Sequence, residues 1–229
     1  MCWHAAGMLR PRIRRLLRFR RLPAEAQAPV FHGSRAYWQE RYATGGNSGV
    51  GSYATLAAFK ADTLNAFVDR HGIASVLEFG CGDGNQLRSA QYPSYIGLDV
   101  AASAVDQCIE MFADDETKSF FLYDPVRFVD RTHTFTSDLS LSLDVIFHLV
   151  EDDVFDRYMT LLFDSAGRFV CVYSSNEELP DAWPHVRHRR FMDWVETRRP
   201  DWLLVETVEN PYKDLETGAV SDFYFFAPR

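Results

Sequence analysis

The stretch Val76-Leu77-Glu78-Phe79-Gly80-Cys81-Gly82-Asp83-Gly84-Asn85 decides the fold. Its first residues make a short apolar run of the kind that forms a buried strand. Three glycines at alternate positions then end regular structure. Without a Cβ, the chain can turn sharply there, and a ligand can approach the backbone closely. A strand that ends on such a turn and leads into a helix marks where α/β sheets bind nucleotides. The spacing excludes two common versions. A dinucleotide loop wants Gly-x-Gly-x-x-Gly, and here the third glycine comes one residue early. A phosphate-gripping P-loop wants Gly-Lys-Ser/Thr, which is absent. Glu78 within the motif opposes a pyrophosphate and favours a ligand that carries positive charge.

Outward from this loop, strands and helices alternate. Ser34 can cap a helix over 34–43, and residues 45–51, rich in glycine, read as a mobile loop. A helix over 54–71 carries the stripe Leu56, Phe59, Leu64, Phe67 and Val68, and Gly72 stops it. Strands are expected at 75–79, 94–98, 118–123, 138–141 and 168–174. Helices are expected at 85–90, 102–112, 152–163 and 189–197. Two last strands, 202–209 and 222–227, are separated only by a turn region and imply an antiparallel hairpin at the sheet end. The pattern predicts an α/β fold: a Rossmann-like, seven-stranded, mostly parallel sheet with an antiparallel final strand and helices on both faces.

The second predicted strand ends at Asp99, about 20 residues beyond the loop, where a carboxylate can accept from both hydroxyls of a ribose. Taken alone, Asp99 reads equally well as a helix cap. Together with the loop, it carries a family resemblance. The chain resembles the class I S-adenosylmethionine-dependent methyltransferases over roughly residues 34–229. The glycine loop is similar to that family's first motif, Asp99 to its second, and Asp138 to Leu149 to its fourth-strand motif.

That resemblance implies S-adenosylmethionine as cofactor and assigns roles. Glu78, Gly80, Cys81, Gly82 and Gly84 would line its methionine end, and Asp99, with Val100 beside it, would hold the ribose. Asp124 would meet the adenine, although a turn at Asp124-Pro125 explains it equally well. Ser142 and Leu143 would flank the sulfonium. Trp38-Gln39-Glu40-Arg41-Tyr42 is similar to a lead-in segment in which Arg41 would meet the cofactor's carboxylate; a surface salt bridge is the other reading.

For the acceptor, His148 is a candidate general base, with Asp144 one helical turn before it to orient and charge it. A core histidine with Asp144 as a cap is the alternative. His185, Arg187, His188 and Arg189 cluster in an otherwise acidic body and can bind an anionic group on the acceptor, or else form a solvated helix start balanced by Glu177, Glu178 and Asp181. The expected reaction is O-methylation of a small-molecule or saccharide hydroxyl. Methylation of RNA or protein, or a non-catalytic cofactor-binding subunit, are the rival readings. No resident metal is expected, though Asp138, Asp144 and His148 can in principle bind a hard cation.

Composition narrows the class. The chain has 229 residues, 47% of them hydrophobic and 14% aromatic, which suits one folded domain over 31–229. Residues 1–30 read as a basic extension and linker. Seven arginines and no acidic residue fall within 1–22, which leaves 17 basic against 32 acidic residues in the rest, a balance of −15. That acidic body argues against nucleic acid as a partner, since phosphate binding needs clustered cations. Residues 8–22 have a loosely amphipathic basic pattern that fits either weak contact with an anionic membrane surface or a solvated extension. The four cysteines form no Cys-x-x-Cys pair, so a reducing, cytoplasmic setting fits best.

Overall fold

A computed structural model describes residues 31–179, 183–213 and 219–229. The basic pattern at 8–22 and the linker before residue 31 lie outside the described residues, as does Asp181. The chain orders its elements as α1 (Ser34–Ala43), α2 (Ala54–His71), β1 (Val76–Phe79), β2 (Tyr95–Asp99), α3 (Ala102–Met111), β3 (Lys118–Leu122), β4 (Ser137–Leu143), α4 (Asp152–Asp164), β5 (Ala166–Ser174), α5 (Phe191–Arg198), β6 (Trp202–Val208) and β7 (Asp222–Pro228). Single 3-10 turns at Val50–Ser52, Gln86–Ser89 and Ile146–His148 link them. The expected helix at 85–90 is therefore one tight turn.

The seven strands form one sheet in the order β3-β2-β1-β4-β5-β7-β6. β1 pairs in parallel with β2 on one side and β4 on the other. The chain direction across the sheet reverses at β1, so the crevice beyond the carboxyl ends of β1 and β4 is the topological switch point. β7 is antiparallel to both β5 and β6. With β6 it makes the expected antiparallel hairpin at the sheet end, and within that hairpin it takes the slot between β5 and β6. Composition explains this. Phe223, Phe225 and Phe226 on β7 are fully buried, whereas β6 exposes Leu203, Leu204 and Val205 and so takes the edge.

Two apolar cores flank the sheet. Leu64, Phe67 and Val68 of α2 and Cys108 of α3 pack on Leu139, Leu141, Tyr173, Phe223 and Phe225, with Phe67 stacked on Phe225 at 4.1 Å between centroids. On the other face Tyr158, Leu162 and Phe163 of α4 and Phe191 and Val195 of α5 cover Leu77, Phe79, Val170, Val172 and Phe226. Alternation along β4 sends Leu139, Leu141 and Leu143 to the α2 face. Ser140 and Ser142, both fully buried, then fall on the opposite face.

The start of α1 corrects one expectation. Ser34 is its first residue, preceded by Gly33, and makes no side-chain cap. Glu151 reaches across instead: its Oε1 accepts from the Ser34 amide at 2.9 Å and its Oε2 from the Ser34 hydroxyl at 2.6 Å. A carboxylate at a helix N-terminus is favourable in both charge and hydrogen bonding. Burial works to raise the Glu151 pKa, but the Ser34 hydroxyl and amide hold it below its ordinary value. This contact fastens α1 over the switch point.

Candidate active site

A cleft of about 460 Å³ opens at the carboxyl ends of β1, β2 and β4. Gly80, Cys81 and Gly82 line it with Glu78, Asp99, Val100 and Leu143, all from the sequence-based set. Gly80 and Gly82 have φ of 86° and 60°, a region that L side chains rarely adopt. A Cβ at Gly80 would lie 2.6 Å from Val145 Cγ2, so the turn is closed to any larger residue. Gly84 is also at positive φ but packs against Cys108 and Phe112 and is not part of the cleft wall.

The two carboxylates at the cleft floor are held differently. Asp99 Oδ2 accepts from the Gly82 amide and Oδ1 from the Ala101 amide, each at 2.9 Å. The Val100 amide acts on the same carboxylate, which still keeps acceptor capacity beyond these donors. Burial raises the Asp99 pKa above its ordinary value, opposed by the amides of Ala101, Gly82 and Val100. Glu78 Oε2 accepts from the Tyr95 hydroxyl at 2.6 Å. Burial pushes the Glu78 carboxyl up to about 7, against the pull of Tyr95 and of the nearby Lys60 ammonium.

Several lining residues were not singled out from sequence. Lys60, fully buried on α2, donates from Nζ to Asp144 Oδ2 at 2.9 Å and lies over the Tyr173 ring at 5.3 Å. Its signal was present: Leu56, Lys60 and Leu64 follow at helical spacing, so a cation interrupts an apolar stripe. Gln86 lines the cleft with a buried Oε1 that has no partner among the described residues, while its Nε2 donates to Ala57 O at 3.0 Å. Trp38, Gln39 and Tyr42 of α1, by contrast, belong to the lead-in segment quoted from the sequence, and they form the roof.

The glycine-rich segment at 45–51 is tied to the β1 loop rather than free. Asp83 Oδ2 accepts from the Ser48 amide at 3.0 Å and the Tyr53 hydroxyl at 2.7 Å, and Ser48 Oγ accepts from the Asp83 amide at 3.1 Å. Burial of Asp83 acts to raise its pKa, but these donors hold it below its ordinary value.

His148 faces the same cleft from the turn after β4. Its Nδ1 lies 3.0 Å from the His185 carbonyl oxygen. A carbonyl only accepts, so Nδ1 carries the hydrogen and Nε2 the lone pair. Burial pulls the His148 pKa down to about 4, against the His185 carbonyl and the field of Asp144. The ring is therefore neutral near pH 7. Trp38 meets it edge-on at 4.9 Å.

Four expectations need correction. Asp144 does not hydrogen-bond His148. The backbone after β4 enters a left-handed residue, Asp144 at φ 57°, and then a 3-10 turn, so the two are not one α-helical turn apart. Asp144 binds Lys60 and the Ser221 hydroxyl instead. Ser142 points away from the cleft, 2.8 Å from the Tyr158 hydroxyl, because strand alternation puts it on the α4 face. Asp124 accepts from Arg35 at 2.7 Å and from the Val126 amide at 3.0 Å; Tyr123, Pro125 and Val126 line the cleft in its place. Arg41 lies outside the cleft, donating to Asn47 O at 2.7 Å and Tyr37 OH at 3.2 Å.

The 185–189 cluster is also largely structural. Arg187 donates to Val150 O at 3.0 Å and Asp152 at 2.8 Å, and Arg189 to Leu149 O at 2.6 Å and Val150 O at 2.8 Å. The two forks staple the chain between the 146–148 turn and α4. His188 Nδ1 sits 2.6 Å from Ser175 Oγ. Asp138 accepts from the Ala74 amide at the far end of β4. Among the described residues no group of three or more His, Cys, Asp or Glu side chains is placed to hold a metal ion, and no helix is long and apolar enough to cross a membrane.

The sequence matches no family model and no curated protein. The fold does match solved structures. One is the N-methyltransferase NodS from Bradyrhizobium japonicum in complex with S-adenosyl-L-homocysteine, with TM-score 0.67, 13% identity and coverage of 86% of this chain and 98% of that one. Magnesium protoporphyrin IX methyltransferase from Synechocystis, with bound S-adenosylmethionine, gives TM-score 0.62 and 13% identity over 88% of this chain and 100% of that one. The small RNA methyltransferase HEN1 gives TM-score 0.59 and 16% identity over 78% of this chain and 26% of that one. The chain has the class I S-adenosylmethionine-dependent methyltransferase fold.

Proposed function

We propose that the protein is an S-adenosylmethionine-dependent methyltransferase that acts on a hydroxyl of a small molecule or saccharide. The observation that carries this reading is one cleft holding both the glycine loop with Glu78 and Asp99 and the buried His148, whose Nδ1 faces the His185 carbonyl. The donor set suits the cofactor. Glu78 and the unpartnered Gln86 Oε1 are acceptors for its ammonium, and Asp99 offers its remaining acceptor capacity to the ribose. Val100, Tyr123 and Val126 offer an apolar slot for a flat base. Lys60 supplies a buried ammonium for a carboxylate.

When bound, the cofactor supplies an electrophilic methyl group. The protein's work is alignment and removal of one proton. His148 Nε2 takes that proton as the acceptor oxygen attacks. The His185 carbonyl and the negative field of Asp144 both favour the imidazolium that forms. The low pKa keeps the base available throughout the neutral range. Trp38 and the α1 roof exclude water from the reacting atoms.

The test is transfer of labelled methyl to panels of hydroxylated acceptors, amines and RNA. His148→Ala should lower kcat by about 10²–10⁴-fold on a hydroxyl acceptor and leave S-adenosylhomocysteine affinity unchanged. Turnover only with amines or RNA, or an undiminished His148→Ala rate, refutes the acceptor class.

A further inference from the structure

Two adjacent stripes of α1 face different spaces. Trp38 and Tyr42 line the cleft, while Tyr37 and Arg41 line a second, open groove of about 650 Å³. Tyr53, Trp183 and His185 are among its walls, and Trp183 is 63% exposed.

Arg41 is the charged group of this groove. Its Nε donates to Asn47 O, and one N–H reaches Tyr37 OH. The contact of Nη2 with Asn47 Oδ1 is long, at 3.5 Å. It has no carboxylate partner among the described residues, in a body whose other arginines beside the site are committed: Arg187 and Arg189 to Asp152, Arg35 to Asp124. A guanidinium fork left with spare donors, flanked by aromatic faces, matches a ring that bears an anionic group. The groove also adjoins the base. The His185 ring, stacked on Tyr37 at 4.1 Å, lies parallel to the His148 ring at 5.7 Å between centroids.

We propose that this groove binds the acceptor, and that Arg41 pairs with a carboxylate or phosphate on its sugar ring while Trp183 and Tyr53 pack on the ring faces. The proposal rests on the methyltransferase reading and deepens it. It moves the acceptor's anion site from Arg187 and Arg189, whose forks hold backbone carbonyls, to the neighbouring α1 face. It also fits an Arg41 that lies outside the cofactor cleft.

The probes are glucuronate, glucose 6-phosphate and glucose, titrated into the full chain loaded with S-adenosylhomocysteine and followed by tryptophan fluorescence and NMR shifts. Both anionic sugars should bind at least about tenfold tighter than glucose, and added salt should narrow the gap. Tighter binding of glucuronate points to a carboxylate, and of the phosphate ester to a phosphoryl group. Arg41→Gln should erase the advantage of the anions without changing S-adenosylhomocysteine affinity; Trp183→Leu should weaken all three sugars alike. Equal binding of the three sugars, or anion preference intact in Arg41→Gln, overturns the proposal. If Arg41→Gln instead weakens S-adenosylhomocysteine by more than about tenfold, Arg41 serves the cofactor and the groove assignment fails, with the methyltransferase reading intact. Wild-type protein that binds no S-adenosylhomocysteine fails that reading itself.

Discussion

If Glu78 meets the cofactor's ammonium, as proposed, cofactor binding depends on pH. Its carboxyl is buried beside Tyr95 and titrates at about 7 in the free protein. Only the ionised form can pair with the ammonium of the ligand. At pH 6 roughly one chain in ten has that form, and at pH 8 roughly nine in ten. S-adenosylhomocysteine should therefore bind about tenfold more weakly at pH 6 than at pH 8, with close to one proton released per ligand at pH 6. Calorimetry in buffers of different ionisation enthalpy reads both quantities. Glu78→Gln should bind with little pH dependence and should be about 10–100-fold weaker than wild type at pH 8, the worth of one charge-assisted hydrogen bond. The same shift acts on stability with a definite sign. A carboxyl raised in the folded state stabilises fully below its ordinary pKa and loses that contribution as pH rises through about 7. The loss amounts to about 3 kcal/mol in the ligand-free protein. Wild-type affinity that is flat between pH 6 and 8, or a Glu78→Gln variant with the same slope, would show that Glu78 does not pair with the ligand's ammonium.

Other consequences are open to direct measurement. Asp144→Asn leaves buried Lys60 without its anion and should cost about 2–4 kcal/mol in denaturant unfolding, with much of the loss recovered by adding Lys60→Met. Gly80→Ala meets both a φ of 86° and Val145, so at least about 2 kcal/mol of stability should go, together with cofactor affinity. Ser142→Ala should cost about 1 kcal/mol through Tyr158 and leave S-adenosylhomocysteine affinity within about twofold, whereas a residue flanking the sulfonium would change it more. His148, depressed to about 4, should give stability that falls as pH drops from about 6.5 to about 4. The unfolded chain takes up a proton there that the folded one refuses, and His148→Gln should flatten that limb.

The fold was legible because its signals are local. Alternating apolar runs, the Gly80–Gly84 turn and Gly72 at the end of α2 each report on a few neighbouring residues. The place of β7 was not legible. Sequence order makes β6 and β7 neighbours but says nothing about which of them takes the interior slot, and burial of Phe223, Phe225 and Phe226 decides it. The place of Glu78 and Asp99 at the cleft could be read because both sit at strand ends beside the loop. Ser142 was misplaced although strand alternation was available to test it: Leu143 faces the cleft, so its neighbour must face away. The Asp144–His148 pairing failed because one left-handed residue replaced the assumed helix. Arg187 and Arg189 looked like a free cationic cluster, since their partners are the carbonyls of Leu149 and Val150, which leave no mark in a sequence, and Asp152, more than 30 positions away. Glu151 capping α1 is a contact across 117 positions, beyond the reach of any local pattern.

The proposed S-adenosylmethionine site in the cleft rests on Asp99 and the glycine loop. Its most direct test is calorimetric titration of S-adenosylhomocysteine at pH 8 into wild type and Asp99→Ala, with NAD as the competing nucleotide. Expected are one site per chain with a dissociation constant on the order of micromolar, a loss of about 100-fold in the variant, and no binding of NAD. No heat and no thermal protection with S-adenosylhomocysteine, or preference for NAD, would contradict it.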